Sequence, residues 1–153
     1  MSARTAFAAA TVALLFAVPA LAGDISPQAN REYLATNAMK PGVIIRPSGL
    51  QYRVVRSGNG RTPAPGDIVT MSYKGALVDG YVFDQTKPGE TRDLPSDRLI
   101  PGWQEALSLM KEGDEWQLVV PAQLGYGANR TGNVPPNQTL IFNMHLVAVK
   151  PKQ

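Results

Sequence analysis

The chain has 153 residues, with 15 Lys and Arg against 12 Asp and Glu, one His and no Cys. A disulfide framework, a thiol nucleophile and a thiolate metal site are thereby excluded, and neither a metal nor any other cofactor is expected. The net charge of +3 is spread without a basic stripe, so no nucleic-acid partner is expected, and a hydrophobic content of 44% suits one globular domain.

Arg4 precedes a run of apolar and small residues over 6–21 that closes on Ala20-Leu21-Ala22 before Gly23. This is the pattern of a secretory signal peptide over residues 1–22. Retention as a membrane anchor is the weaker alternative, because the run is short, rich in alanine and broken by Pro19. No stable membrane anchor is expected, and the absence of Cys near the cleavage point excludes lipid attachment there. The expected product is exported, with the periplasm as its compartment and secretion as the alternative.

Residues 23–47 differ in pattern from the rest of the chain. Ser26 is placed to cap a helix with Pro27 at its first position, and residues 28–40 suit a helix until Pro41-Gly42 stops it. Tyr33, Leu34 and Ala38 share a face, enough to dock on a larger domain but not to form a core. A dimerisation helix is the other reading.

After Pro47 the apolar period becomes two. Leu50, Tyr52 and Val54 alternate with Gln51 and Arg53, and Val69, Met71 and Tyr73 with Thr70 and Ser72, as in half-buried strands. Asp79-Gly80 turns the second of these into a hairpin with Tyr81-Val82-Phe83. Trp103, Ala106, Leu107, Leu109 and Met110 lie on one helical face, with Gly113 as its stop. Trp116, Leu118 and Val120 alternate again, as do Leu140, Phe142, Met144, Leu146 and Ala148. The expected architecture is α+β: an antiparallel sheet with one face in solvent and the other covered by one short helix.

No carboxylate pair stands in an acid-base arrangement, and neither a G-x-S-x-G elbow nor a P-loop occurs. His145, in the last strand, is expected on the face opposite Phe142, Met144 and Leu146, without a catalytic partner. The sequons at Asn129-Arg130-Thr131 and Asn137-Gln138-Thr139 are short enough to arise by chance. What remains is an aromatic set. Tyr73, Phe83, Trp103, Tyr126 and Phe142 come from three strands, a helix start and a loop, and Gly125 and Gly127 free the backbone around Tyr126. Asp84 is expected to point away from Phe83, and if buried near Tyr73 it needs a donor.

At these residues the chain resembles the FKBP-type peptidyl-prolyl cis-trans isomerases, the macrolide-binding family. The resemblance rests on Ser72-Tyr73-Lys74-Gly75, Asp79-Gly80, Val82-Phe83-Asp84, Leu99-Ile100-Pro101-Gly102-Trp103, Gly125-Tyr126-Gly127 and Pro135-Pro136-Asn137-Gln138-Thr139-Leu140-Ile141-Phe142, all in family order. Ser48-Gly49-Leu50-Gln51-Tyr52 and the residues from Ile100 to Leu107 are most similar to the exported bacterial branch related to macrophage infectivity potentiator.

The resemblance implies a twisted antiparallel sheet wrapped on one short helix, an isomerase domain over residues 48–151, and the residues 23–47 as leader helix and linker. It implies acceleration of X-Pro isomerisation during folding of exported proteins, by desolvation and binding of a twisted amide. Its implied partners are proline-containing peptides, unfolded exported proteins and macrolide inhibitors. Trp103 becomes the pocket floor and Tyr73, Phe83 and Phe142 its walls, flanked by Leu99 and Ile100. The Ile100 N–H and the Tyr126 hydroxyl become donors to substrate carbonyls, and Val134 closes one side. Asp84 is the polar group nearest the amide, orienting Tyr73, acting on the carbonyl or holding the pocket's shape. Two departures stand out: residues 91–94 offer only Leu94 where the family often has an aromatic wall, and Asn133 replaces a common apolar residue. Relatives often carry a long helical dimerisation domain before the isomerase domain, so a monomer is expected here. A peptide-binding module or holdase chaperone using the same pocket without catalysis is the alternative.

Overall fold

The computed structural model describes residues 23–153, so the expected export signal over residues 1–22 lies outside the described residues. The chain enters through helix α1 (Pro27–Ala38), where the Ser26 hydroxyl accepts from the Ala29 N–H at 3.1 Å and Pro27 occupies a position that needs no donor. The helix ends just before Gly42, whose φ of +79° reverses the chain. Its docking face departs from the expected one. The fully buried positions are Asn30 and Asn37, while Tyr33, Leu34 and Ala38 are only half-buried. Amide hydrogen bonds therefore anchor α1 more than apolar burial does.

The remainder is one antiparallel sheet: β1 (Ile44–Ile45), β2 (Gln51–Arg56), β3 (Ile68–Ala76), β4 (Val82–Gln85), β5 (Arg92–Pro95), β6 (Glu115–Val120) and β7 (Leu140–Lys150). The spatial order is β1-β2-β6-β7-β3-β4, with β5 pairing β3 beyond the part that β4 occupies. The expected hairpin forms at Asp79-Gly80, where the Leu77 N–H donates to the Tyr81 carbonyl at 2.9 Å and Gly80 has a φ of +89°. Helix α2 (Pro101–Leu107) packs across the inner face, burying Trp103, Ala106 and Leu107 against Leu118, Val120, Leu140, Phe142, Met144 and Leu146. It is shorter than its apolar spacing predicts. The N–H groups of Leu109 and Met110 both donate to the Ala106 carbonyl, which closes the helix, and Gly113 at φ +93° serves the turn into β6 instead.

Three bulges break the simple alternation. Between β3 and β7 the register passes from Thr70↔Ala148 to Met71↔Leu146, leaving Val147 over. Beyond it Val149 rather than Ala148 points inward. Between β2 and β6 the register skips Val55, and Val54 is exposed where alternation predicts burial. Between β3 and β4, Gly75 pairs with Asp84 and Ala76 with Val82, so Phe83 is the extra residue. No helix among the described residues is long and apolar enough to cross a membrane.

Candidate active site

Between α2, β3, β4, β5 and the loop after residue 124 lies a cavity of about 200 Å³. Tyr73 on β3, Phe83 and Asp84 on β4, Leu94 on β5, Leu99, Ile100 and Trp103 at the start of α2, Tyr126 in the loop and Phe142 on β7 line it. The rings meet edge to face. Trp103 lies 5.0 Å from Tyr73 and 5.1 Å from Phe142, and Phe142 lies 5.7 Å from Phe83, all between centroids. Such edge contacts present aromatic hydrogens to the faces of neighbouring rings and hold the walls rigid. Trp103 is almost wholly buried, as a floor must be, and its indole N–H has no acceptor among the described residues.

Eight of the nine side chains expected at the site converge here; Val134 does not. It is 3% exposed and packed in the core, fixed by paired hydrogen bonds with Thr131, so it supports the loop from behind instead of closing the pocket. The second correction concerns Asp84. It lines the same cavity as Phe83 because the bulge places two consecutive residues opposite one partner, which re-aims a side chain that regular alternation would turn away.

Gly75 makes this arrangement possible. A Cβ at that position would lie 2.7 Å from Phe142 Cε1 and 2.8 Å from Phe83 Cζ, so both rings lean into space that only glycine leaves open.

The donor that Asp84 needs is supplied twice. The Tyr73 hydroxyl donates to Oδ2 at 2.6 Å and the Arg92 guanidinium to Oδ1 at 3.1 Å. Arg92 also donates to the Tyr73 oxygen at 2.8 Å and lies 5.5 Å from the Tyr73 ring centre. Burial, reinforced by the carboxylate acceptor, pushes the Tyr73 phenol up to about 12, so it is a fixed donor at any physiological pH. Burial and the Asp84 charge raise the Tyr126 phenol as well. Sequence reasoning misses Arg92, although it marks Leu94 on the same strand: period two from Leu94 places Arg92 on the pocket side. Arg98 also reaches the cavity wall.

Two donors stand unspent at the rim. Among the described residues neither the Ile100 N–H nor the Tyr126 hydroxyl makes a hydrogen bond, whereas the Ile100 carbonyl accepts from Trp103 and Gln104 at the start of α2. A larger groove of about 470 Å³ crosses the sheet elsewhere, lined in part by Ser72, Lys74, Glu115, Asn143 and His145. Tyr73 and Trp116 also line it, but Trp103, Phe83 and Phe142 do not, and His145 lines this groove and not the aromatic cavity. Among the described residues no cluster of three metal-ligating side chains occurs.

The family model described as FKBP-type peptidyl-prolyl cis-trans isomerase matches residues 59–147, and that of the domain amino terminal to it matches residues 21–54. The outer membrane protein MIP of Legionella longbeachae is 47% identical over 120 residues, 77% of this chain and 52% of that protein. The peptidyl-prolyl cis-trans isomerase Mip of Coxiella burnetii is 44% identical over 80% of this chain and 54% of its own length. The chain thus spans about half the length of these curated relatives. The crystal structure of FkpA from Escherichia coli superposes with a TM-score of 0.79 at 39% identity, covering 86% of this chain and 62% of that one. A peptidyl-prolyl cis-trans isomerase from Pseudomonas syringae pv. tomato superposes at 0.75 and 34% identity, covering 81% and 92%.

Proposed function

The chain belongs to the FKBP-type peptidyl-prolyl cis-trans isomerase family, and on that premise we propose that it accelerates cis-trans isomerisation of X-Pro bonds in exported, unfolded proteins. The observation that carries the reading is the pairing of an apolar ring-lined cavity with two unspent donors, Ile100 N–H and Tyr126 O–H. Nothing in the cavity is arranged to attack a carbonyl, and rotation of an amide requires no attack.

The barrier to rotation, about 18–20 kcal/mol, comes from resonance that keeps the amide planar and polar. Moving the prolyl group onto Trp103, between Tyr73, Phe83 and Phe142, removes water that stabilises the planar form. Twisting ends the resonance and leaves a less polar bond, which the dry cavity accepts more readily. Ile100 and Tyr126 hold the carbonyls on either side and so fix the axis of the twist. Interactions that strengthen only in the twisted state lower the barrier, and about 8 kcal/mol suffices for a 10⁶-fold acceleration. Both Asp84 oxygens are engaged by Tyr73 and Arg92, so Asp84 orients Tyr73 and contributes a fixed field without transferring a proton. Val134 contributes by backing the loop.

We assign residues 48–151 to the isomerase unit, residues 23–47 to a docked leader and residues 1–22 to an export signal, with the periplasm as destination. A monomer is the proposed state, since the buried face of α1 is turned to its own sheet through Asn30 and Asn37. Macrolides of the family's inhibitor class are proposed to occupy the cavity. A protease-coupled assay on an X-Pro peptide tests the activity: acceleration that a macrolide abolishes is expected, and a rate equal to background at micromolar protein leaves only the holdase reading. Sedimentation tests the monomer.

A further inference from the structure

Both ends of α1 are pinned by a buried amide, but the two lead to different places. At the far end Asn37, 3% exposed, donates to Gln51 Oε1 at 2.8 Å. At the near end Asn30, 5% exposed, accepts the Thr139 N–H on Oδ1 at 2.7 Å and shares its amide hydrogens among the Ile25 and Ser26 carbonyls and Gln138 Oε1. Gln138 in turn donates to the carbonyls of Ile25 and Pro136. Next to it, Asn137 is held at a φ of +59°, the one positive value at a non-glycine among the described residues, and donates its N–H to the Gly127 carbonyl at 2.8 Å. The Gly127 N–H donates to Ala122, and the Asn129 N–H to the carbonyl of Tyr126 itself. A continuous path of bonds and one constrained turn thus joins Asn30 to the backbone on both sides of Tyr126. Gln51 is tied instead to β6, where it pairs with Val119, and its links do not pass through the constrained Asn137.

We propose that Asn30 is a positioning residue for Tyr126, so that the docked helix sets the aim of a donor in the pocket 96 positions away in sequence. The proposal rests on the reading of Tyr126 as a substrate donor. Its physical content is that a buried amide with every polar atom engaged tolerates no displacement, and the left-handed Asn137 passes that constraint to the glycine-flanked loop.

Four variants of the full chain test it: Asn30→Ala, Asn37→Ala, Tyr126→Phe and the double variant Asn30→Ala/Tyr126→Phe. Both asparagine variants are expected to lower the urea midpoint. Only Asn30→Ala is expected to lower kcat/KM on a neutral X-Pro peptide, by roughly three- to tenfold, with Asn37→Ala within about twofold of the parent. The loss should vanish in the Tyr126→Phe background, and the amide NMR signals of Gly125 and Gly127 should shift in Asn30→Ala but not in Asn37→Ala. A fifth variant, Asn30→Asp, keeps the acceptor for Thr139 but sets a carboxylate oxygen against the Ile25 and Ser26 carbonyls and Gln138 Oε1, so it is expected to lower kcat/KM in the same direction as Asn30→Ala. Equal activity losses from the two asparagine variants, or additive losses in the double variant, overturn the positioning role. If the alanine variant does not fold, a folded Asn30→Asp with parental kcat/KM does the same. A parent chain without activity overturns the isomerase reading and this one with it, which separates the two failures.

Discussion

Gly75→Ala adds one methyl group outside the cavity yet should disable it. The new Cβ would lie 2.7 Å from Phe142 Cε1, 2.8 Å from Phe83 Cζ and 3.0 Å from Phe142 Cδ1. Carbon atoms rest at about 3.5–4.0 Å, so the two ring edges must retreat by roughly 1 Å. Phe142 is 3% exposed and also packed edge to face on Trp103 at 5.1 Å, so little of that movement can be absorbed behind it. The rings then shift into the cavity that the proline must fill. Overpacking of this kind costs about 1–3 kcal/mol of stability, which an ordinary domain survives. A misplacement of about 1 Å at reacting groups costs on the order of 10²-fold in rate. The expected outcome is a folded protein, by urea denaturation, with kcat/KM reduced at least about tenfold in the peptide assay. Adding Phe83→Leu, which withdraws one of the two ring edges, should recover part of the lost stability in urea. A folded Gly75→Ala chain with parental kcat/KM would refute the argument that ring placement governs the rate.

Other perturbations separate the cavity from its surroundings. Phe142→Ala should lose far more activity than His145→Ala, because His145 lies by the other groove, and equal losses would misplace the site. Tyr73 has a raised folded pKa of about 12 and an ordinary unfolded value near 10, so its contribution to stability is full below about pH 10 and lost as pH rises toward 12. Thermal melts from about pH 9 to about pH 11.5 should therefore fall more steeply for the parent than for Tyr73→Phe, and parallel slopes would deny the shift. Arg92→Gln breaks a pair whose side chains are 39% and 44% exposed, so a fall in the urea midpoint much smaller than that of Phe142→Ala is expected. A fall as large as that of Phe142→Ala would mean that the Arg92–Asp84 pair behaves as a buried one.

The strands, the Asp79-Gly80 hairpin and the aromatic set are legible in the sequence because each is local or periodic. Alternation of apolar residues follows from the two-residue repeat of a strand, and a start with Pro101 and the spacing of Trp103, Ala106 and Leu107 mark a helix without knowledge of anything distant. Asp84 is legible as a polar group in need of a donor, but the identity of that donor is not. Which residue a bulge makes redundant is decided by the partner strand, so the shared orientation of Phe83 and Asp84 and the phase change at Val147 come only with the pairing of β3. The same holds for Val134, whose side chain follows a loop closed on Thr131. It holds most strongly for α1, where the apolar residues promise the docking face and two asparagines make it. Apolar burial is non-directional and survives as a pattern in one segment. A buried amide is stable only against particular donors and acceptors, and those of Asn30 lie up to 109 residues away, where only the folded chain brings them.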